Sequence, residues 1–165
     1  MAAHPSQLQQ EIRQTRPFRS VGQEAVLGLF KTADMLRRHF GKIVGQGGEA
    51  VELTLQQYNV LRILRGAGAE GLPTLEIAAR MVEQAPGITR LIDRLEAKGL
   101  VARERCLEDR RRVTCRISRA GLALLARLDD QINRSDEVFD GVVSAADLKR
   151  LVEVLDRMRS VLETK

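Results

Sequence analysis

Between residues 88 and 117 the spacing of apolar side chains changes its period. Ile88, Leu91, Ile92 and Leu95 recur at i, i+3, i+4 and i+7, which is one face of a helix. Thr89, Arg90, Asp93, Arg94 and Lys98 fall on its outward side, and Lys98-Gly99 supplies a basic last turn and a glycine stop. Past Gly99 the period drops to two. Val101 alternates with Arg103 and Arg105, and Val113, Cys115 and Ile117 alternate with Thr114 and Arg116. That pattern predicts a two-stranded ribbon with one face on a core. Its tip, Glu108-Asp109-Arg110-Arg111-Arg112, gathers three guanidiniums. They repel one another, and a polyanion would offset that repulsion. A helix with a polar outer face, followed by a ribbon with a cationic tip, predicts a winged helix-turn-helix. Its helix would enter a major groove and its tip would reach phosphates or the adjacent minor groove. The alternative on the same residues is a small α/β domain with a solvated basic hairpin.

Patterning organises the rest of the chain around this stretch. Residues 1–20 are polar, carry Pro5 and Pro17, and read as an arm, helical at most around 7–14. Residues 22–44 carry one long stripe of Val26, Leu29, Phe30, Ala33, Leu36, Phe40, Ile43 and Val44, flanked by Arg38 and His39. A small domain does not cover so long a stripe, which points to a helix shared with another subunit. Thr54 and Gln57 form a capping box, with Leu53 and Tyr58 as its hydrophobic staple. The helix they open places Leu55, Tyr58, Leu61, Ile63 and Leu64 inward and stops at Gly66-Ala67-Gly68.

The next short helix opens at Leu72-Pro73-Thr74, with Thr74 as cap or Pro73 in the first turn. Leu75, Ala78, Ala79 and Met81 are expected to pack inward. Ser118 caps a long helix with Leu122, Leu125, Leu128 and Ile132 on one face, continuing toward Phe139. Ser144, with Asp147 three positions on, caps a last helix carrying Leu148, Leu151, Val152, Leu155, Met158 and Leu162. These terminal helices have clean stripes and no candidate chemistry, which suits dimerisation; completing a monomeric core is the alternative. The expected organisation is an arm (1–20), an N-terminal dimerisation helix and linker (21–52), a winged helix-turn-helix lobe (53–117) and C-terminal dimerisation helices (118–165). The fold class is mainly α with a small β-wing.

Charge sharpens this picture. The chain carries a net charge of +5 at pH 7, and residues 53–121 hold 13 Lys and Arg against 8 Asp and Glu, while the remainder holds 14 of each. The whole excess therefore sits on the candidate DNA-binding lobe. The absence of Trp and the 3% aromatic content disfavour base stacking on aromatic platforms, as single-strand binders use. Cys106 and Cys115 are too few for a disulfide framework and lack zinc-ligand spacing. Cys115 occupies an inward position, and Cys106, near the tip, is the better redox candidate. No apolar run approaches the ~18 residues of a membrane span, and no signal-peptide core is present. A cytoplasmic protein without cofactor or metal is expected.

The order of elements resembles the MarR family of bacterial transcription regulators over residues 22–162. The resemblance rests on Thr89-Arg90-Leu91-Ile92-Asp93-Arg94-Leu95-Glu96-Ala97-Lys98-Gly99-Leu100-Val101, on Asp109-Arg110-Arg111 in the wing, and on Ile117-Ser118-Arg119-Ala120-Gly121. It implies a homodimer held by N- and C-terminal helices, each protomer offering one winged module to half of a pseudo-palindrome. Arg111 would be the wing arginine in the minor groove, oriented by Asp109, with Arg110 and Arg112 on phosphates. Thr89 and Arg90 would meet bases or phosphates in the major groove, and Arg94 the backbone. Thr74 joins this DNA-binding set.

Where the family has Ser-Pro-Ser-Thr, this chain has Gln84-Ala85-Pro86-Gly87. Gln84 then stands at the helix cap, where it is a poorer cap than serine but able to read an adenine edge. Gly87 removes a side chain from the groove-facing end. The resemblance also implies an amphipathic, often phenolic, small-molecule effector between the dimer helices and the DNA-binding lobe. Arg38, His39, Tyr58 and Arg62 are the polar candidates for that cleft.

The function so read is a sequence-specific, double-stranded DNA-binding transcription regulator, a repressor acting as a homodimer and released by a small-molecule ligand. The competing reading is a winged-helix assembly module without DNA binding; the clustered wing arginines and the charge asymmetry oppose it. An enzyme is not expected. His4 and His39 have no placed nucleophile or carboxylate partner, and Gly45-Gln46-Gly47-Gly48 lacks the preceding strand of a nucleotide loop.

Overall fold

The computed structural model describes residues 6–46, 52–84, 87–105 and 113–163. In chain order the helices are α1 (Gln7–Glu11), α2 (Val21–Gln46), α3 (Leu55–Ala67), α4 (Thr74–Ala79), α5 (Ile88–Ala97), α6 (Arg119–Asp136) and α7 (Ala145–Glu163). Strands β1 (Leu72–Pro73), β2 (Val101–Arg105) and β3 (Val113–Ile117) complete the set, with 3-10 turns at Gly68–Glu70 and Glu137–Phe139. The chain divides into two units, Met1–Leu128 and Asp129–Lys165. None of the helices among the described residues is long and apolar enough to cross a membrane.

Local chemistry sets most boundaries. Thr54 Oγ1 accepts from the Gln57 N–H and Gln57 Oε1 accepts from the Thr54 N–H, both at 3.2 Å, so the capping box forms as the sequence predicts. Leu53 and Tyr58, the staple positions, are both buried. The helix stops at Gly68, whose φ of 67° suits glycine alone. At the start of α6, Ser118 Oγ accepts from the Gly121 N–H at 3.0 Å and donates to the Gly99 carbonyl at 2.6 Å. One hydroxyl thereby caps α6 and ties it to the turn after α5. Ser144 and Asp147 cap α7 as expected, the Asp147 N–H donating to Ser144 Oγ at 3.1 Å.

The core of the first unit is aliphatic. Val44, Val60, Leu61, Leu64, Ile77, Ile92, Leu95, Cys115, Leu124, Leu125 and Leu128 are all fully or almost fully buried. α5 buries Leu91, Ile92 and Leu95, the face its period predicts. Of the stripe on α2, Val44 is fully buried whereas Val26 and Phe30 are exposed.

Several expectations are corrected. The sheet has three strands in the order β1-β3-β2, not two. Leu72 and Pro73 pair antiparallel with Cys115 and Thr114, because Pro73 sits on an edge strand, where a missing N–H is tolerated. Leu75 is not inward: it is 83% exposed, and Ile77 is the residue of α4 that is fully buried. Ala79 is also exposed. A helix of 6 residues turns one narrow face to the core, and Ile77 occupies it. Likewise Leu122 is exposed, and Leu124 is buried beside the expected Leu125 in the first turns of α6. α6 ends at Asp136, and the chain continues to Phe139 as a 3-10 turn.

Candidate nucleic-acid interface

Two glycines let the module close tightly. A Cβ on Gly71 would lie 2.4 Å from the Cys115 carbonyl oxygen, and one on Gly121 would lie 2.5 Å from that of Leu100. Gly71 lets β1 reach β3, and Gly121 lets α6 lie against the end of α5. The sheet is therefore held directly beneath the helix-turn-helix. Register is fixed by Val101 opposite Ile117 and Arg105 opposite Val113.

α5 presents Thr89, Arg90, Asp93, Arg94 and Glu96 on its exposed side. Its 10 residues make a rod of about 15 Å, and a major groove about 12 Å wide admits such a rod. Asp93 and Glu96 would repel phosphates, but neither is left bare. Arg103 reaches from β2 and donates to Asp93 Oδ1 at 2.5 Å and to the Thr89 carbonyl at 3.2 Å. Its other nitrogen stands 3.5 Å from Glu96 Oε2. Burial lowers the Arg103 pKa, but the hydrogen bond and charge of Asp93, together with the charge of Glu96, outweigh it, so the net shift is upward. Both acidic side chains of α5 are thus engaged by Arg103, and Arg90 and Arg94 are the exposed cations of that helix.

The sequence-predicted residues fall into three groups. Thr89, Arg90 and Arg94 share the exposed side of α5, and Gln84 is exposed in the turn before it. Thr74 is placed differently: it is the first residue of α4, not its cap, and its hydroxyl lies 3.9 Å from Cys115 Sγ. Pro73 is the residue preceding that helix and supplies no side-chain cap. Gln84 is likewise not the cap of α5; Gly87 is, with φ 96° and no side-chain cap hydrogen bond. Asp109, Arg110, Arg111 and Arg112, and with them Cys106, lie outside the described residues.

The effector candidates are only partly assembled. The Arg62 guanidinium stands over the Tyr58 ring, 5.9 Å from its centroid, a distance at which a cation is attracted to the ring face. Arg38 pairs with Asp34 on its own helix at 2.9 Å. His39 sets its ring edge-on to Phe40, the centroids 5.5 Å apart.

Sequence reasoning missed two connections. Arg103 reads as an outward strand residue, yet it clamps the reading helix to the wing. The available signal was the i, i+3 spacing of Asp93 and Glu96, which puts two carboxylates on one helix face. Arg37 and Glu83 also meet, at 3.3 Å, joining α2 to the turn before α5; no sequence period links residues so far apart.

A family model described as the MarR family matches residues 53–113. The crystal structure of a MarR transcription factor from Planctomyces limnophilus is 41% identical, covers 85% of this chain and 98% of that one, and superposes with a TM-score of 0.61. The chain belongs to the MarR family. Its winged helix is also similar to that of Staphylococcus aureus MepR in a DNA complex, at 21% identity, a TM-score of 0.69 and coverage of 79% of this chain and 96% of that one. At that identity the likeness concerns the fold. A protein of Thauera aromatica named as a candidate transcriptional regulator of the hcr operon is 30% identical over 101 residues, 61% of this chain. This MarR-family chain spans only 60% of the length of that curated relative.

Proposed function

We propose that this chain is a transcription regulator of the MarR family that acts as a homodimeric repressor on a pseudo-palindromic operator in the cytoplasm. One observation carries the reading. Arg103 occupies both carboxylates of α5, so the helix offers Arg90 and Arg94, and no unpaired acid, to a groove. Arg110, Arg111 and Arg112, which follow β2 and precede β3 in the sequence, add cationic charge to this lobe. That MepR, a fold neighbour, binds DNA agrees with this reading.

A second copy is the partner that the exposed apolar residues suit. On α2, Val21 and Phe30 are 84% and 70% exposed, and on α7 Leu151, Val152, Val161 and Leu162 are exposed as well. Exposed apolar residues grouped on a helix are features of association sites. The effector class in this reading is a small amphipathic, phenol-type anion that uses Arg62 and Tyr58. It would release DNA only through a difference in its affinity for the bound and free states.

The test is duplex binding by fluorescence anisotropy across a salt series. Wild type is expected to show a steep linear dependence of log K on log salt, and Arg90→Ala a slope shallower by about 0.9. Loss of all duplex binding at low salt in the wild type refutes the reading.

A further inference from the structure

We propose that the N-terminal arm builds a second binding site, for a small polyanion carrying phosphate groups, separate from the DNA-reading surface. The arm is folded. Ser6 and Gln9 make a capping box for α1, and Leu8 lies against α2, where a Cβ on Gly28 would be 3.8 Å from Leu8 Cδ2. Past α1 the chain reverses. The Gln14 N–H donates to the Gln9 carbonyl at 2.9 Å, and Arg13 sits at φ 54°, the only described non-glycine residue with a positive φ.

Two amides then hold the return. Gln9 Nε2 and Gln14 Nε2 both donate to the Arg16 carbonyl, at 3.0 and 2.8 Å. The Arg19 N–H donates to Gln23 Oε1 at 2.8 Å, which fastens the far end of the loop to α2. A five-residue helix and its loop are thereby kept in one shape by side-chain amides whose purpose in an idle tail would be hard to state.

The loop borders an open surface depression of about 540 Å³ lined by Arg13, Arg16 and Arg19 and by no carboxylate. That volume is within the roughly 300–1,000 Å³ of small-molecule sites. Among the described residues the three guanidiniums have no ion-pair partner. Three arginines lining one depression repel one another, and forked donors of this kind match phosphate oxygens, two at a time. A single carboxylate would neutralise one of the three charges; a di- or triphosphate group would neutralise them all.

Position argues for a free small anion over the DNA backbone. α2 meets the reading module through its C-terminal half, at Arg37 with Glu83 and at Gly41 beside Leu55. The arm is fastened at Ser20, Gln23 and Gly28, with Arg19 some 18 residues, or about 27 Å of helix, from Arg37.

The experiment is calorimetric titration of the intact protein with inorganic triphosphate, repeated on two variants. Wild type is expected to bind saturably at the arm. Arg13→Gln/Arg16→Gln/Arg19→Gln should bind at least about tenfold more weakly, because three charge-assisted contacts are lost. Gln9→Ala/Gln14→Ala keeps the net charge and frees the loop, and should weaken binding about threefold or more through lost preorganisation. A wild type that does not saturate, an arginine variant that binds like wild type, or a glutamine variant without effect each overturns the site. The arginine variant should hold a random-sequence duplex at low salt as wild type does. A weaker duplex complex with a shallower salt slope would assign the arginines to DNA and overturn the proposal as well. The site does not depend on the regulator reading, since triphosphate binding by the arm is measured without DNA.

Discussion

Arg103 of the wing strand and Asp93 of the reading helix meet at 2.5 Å, and the same guanidinium reaches Glu96 and the Thr89 carbonyl. This one side chain ties α5 to β2 and offsets part of the negative charge of Asp93 and Glu96. Arg103→Ala is expected to lower stability by roughly 1–2 kcal/mol, a value held down because both carboxylates are well exposed to solvent. Duplex affinity should fall further than that loss explains, since Asp93 and Glu96 then lose their cationic partner. Arg103→Lys should recover charge but not the three-way contact. Urea denaturation alongside duplex titration separates the two effects. The upward pKa shift of Arg103 means its contribution is present below the ordinary guanidinium range and is lost only above it, so raising the pH from 6 to 9 should not dissolve the clamp through Arg103.

Gly121 and Gly66 should respond in opposite directions to alanine. A Cβ at Gly121 would stand 2.5 Å from the Leu100 carbonyl oxygen and 2.7 Å from Ile117 Cγ1. Overpacking of this kind costs about 1–3 kcal/mol. Gly66 lies within α3, and nothing stands within 4 Å of an added Cβ. There the gain in helix propensity is up to about 1 kcal/mol. Thermal melts of Gly121→Ala and Gly66→Ala against wild type check both signs.

The wing arginine predicted from the sequence has its own signature. Arg111→Ala should weaken duplex binding and reduce the salt slope by about 0.9. Arg94→Ala should reduce the slope by a similar amount if it meets the backbone. Equal slopes for Arg111→Ala and wild type would place the wing away from the DNA.

Cys115 is fully buried, beside the Thr74 hydroxyl and opposite Leu72 and Arg103 in the sheet. A buried thiol is inert until the fold opens. Peptide mass spectrometry after brief alkylation should find Cys115 unmodified in native protein and fully modified in denaturant.

What the sequence made legible was local. The Thr54–Gln57 capping box, the Ser118 and Ser144 caps and the apolar face of α5 follow from spacings of three and four residues, the stop at Gly68 from glycine itself, and all five form. Choices between neighbouring apolar residues were not legible. Leu75 or Ile77, and Leu122 or Leu124, satisfy similar stripes, and packing by distant elements selected the second of each pair. β1 spans two residues, too short to carry a period, and exists because β3 pairs with it. Gly87 displaced Gln84 as the cap of α5, since a left-handed φ ends the turn there. Of the candidate site, Arg90 and Arg94 were read from their helical positions, while Arg103 was not, because its role depends on a helix meeting a strand.

The central claim is that the chain reads duplex sequence as a dimer, and the most direct test is selection of bound duplexes from a random pool with the purified intact protein at moderate salt. The account predicts enrichment of a pseudo-palindrome whose half-sites lie about one helical turn, roughly 34–36 Å, apart. A pool that yields no bound duplex, even when the salt is lowered, would contradict it and leave a winged helix used for assembly.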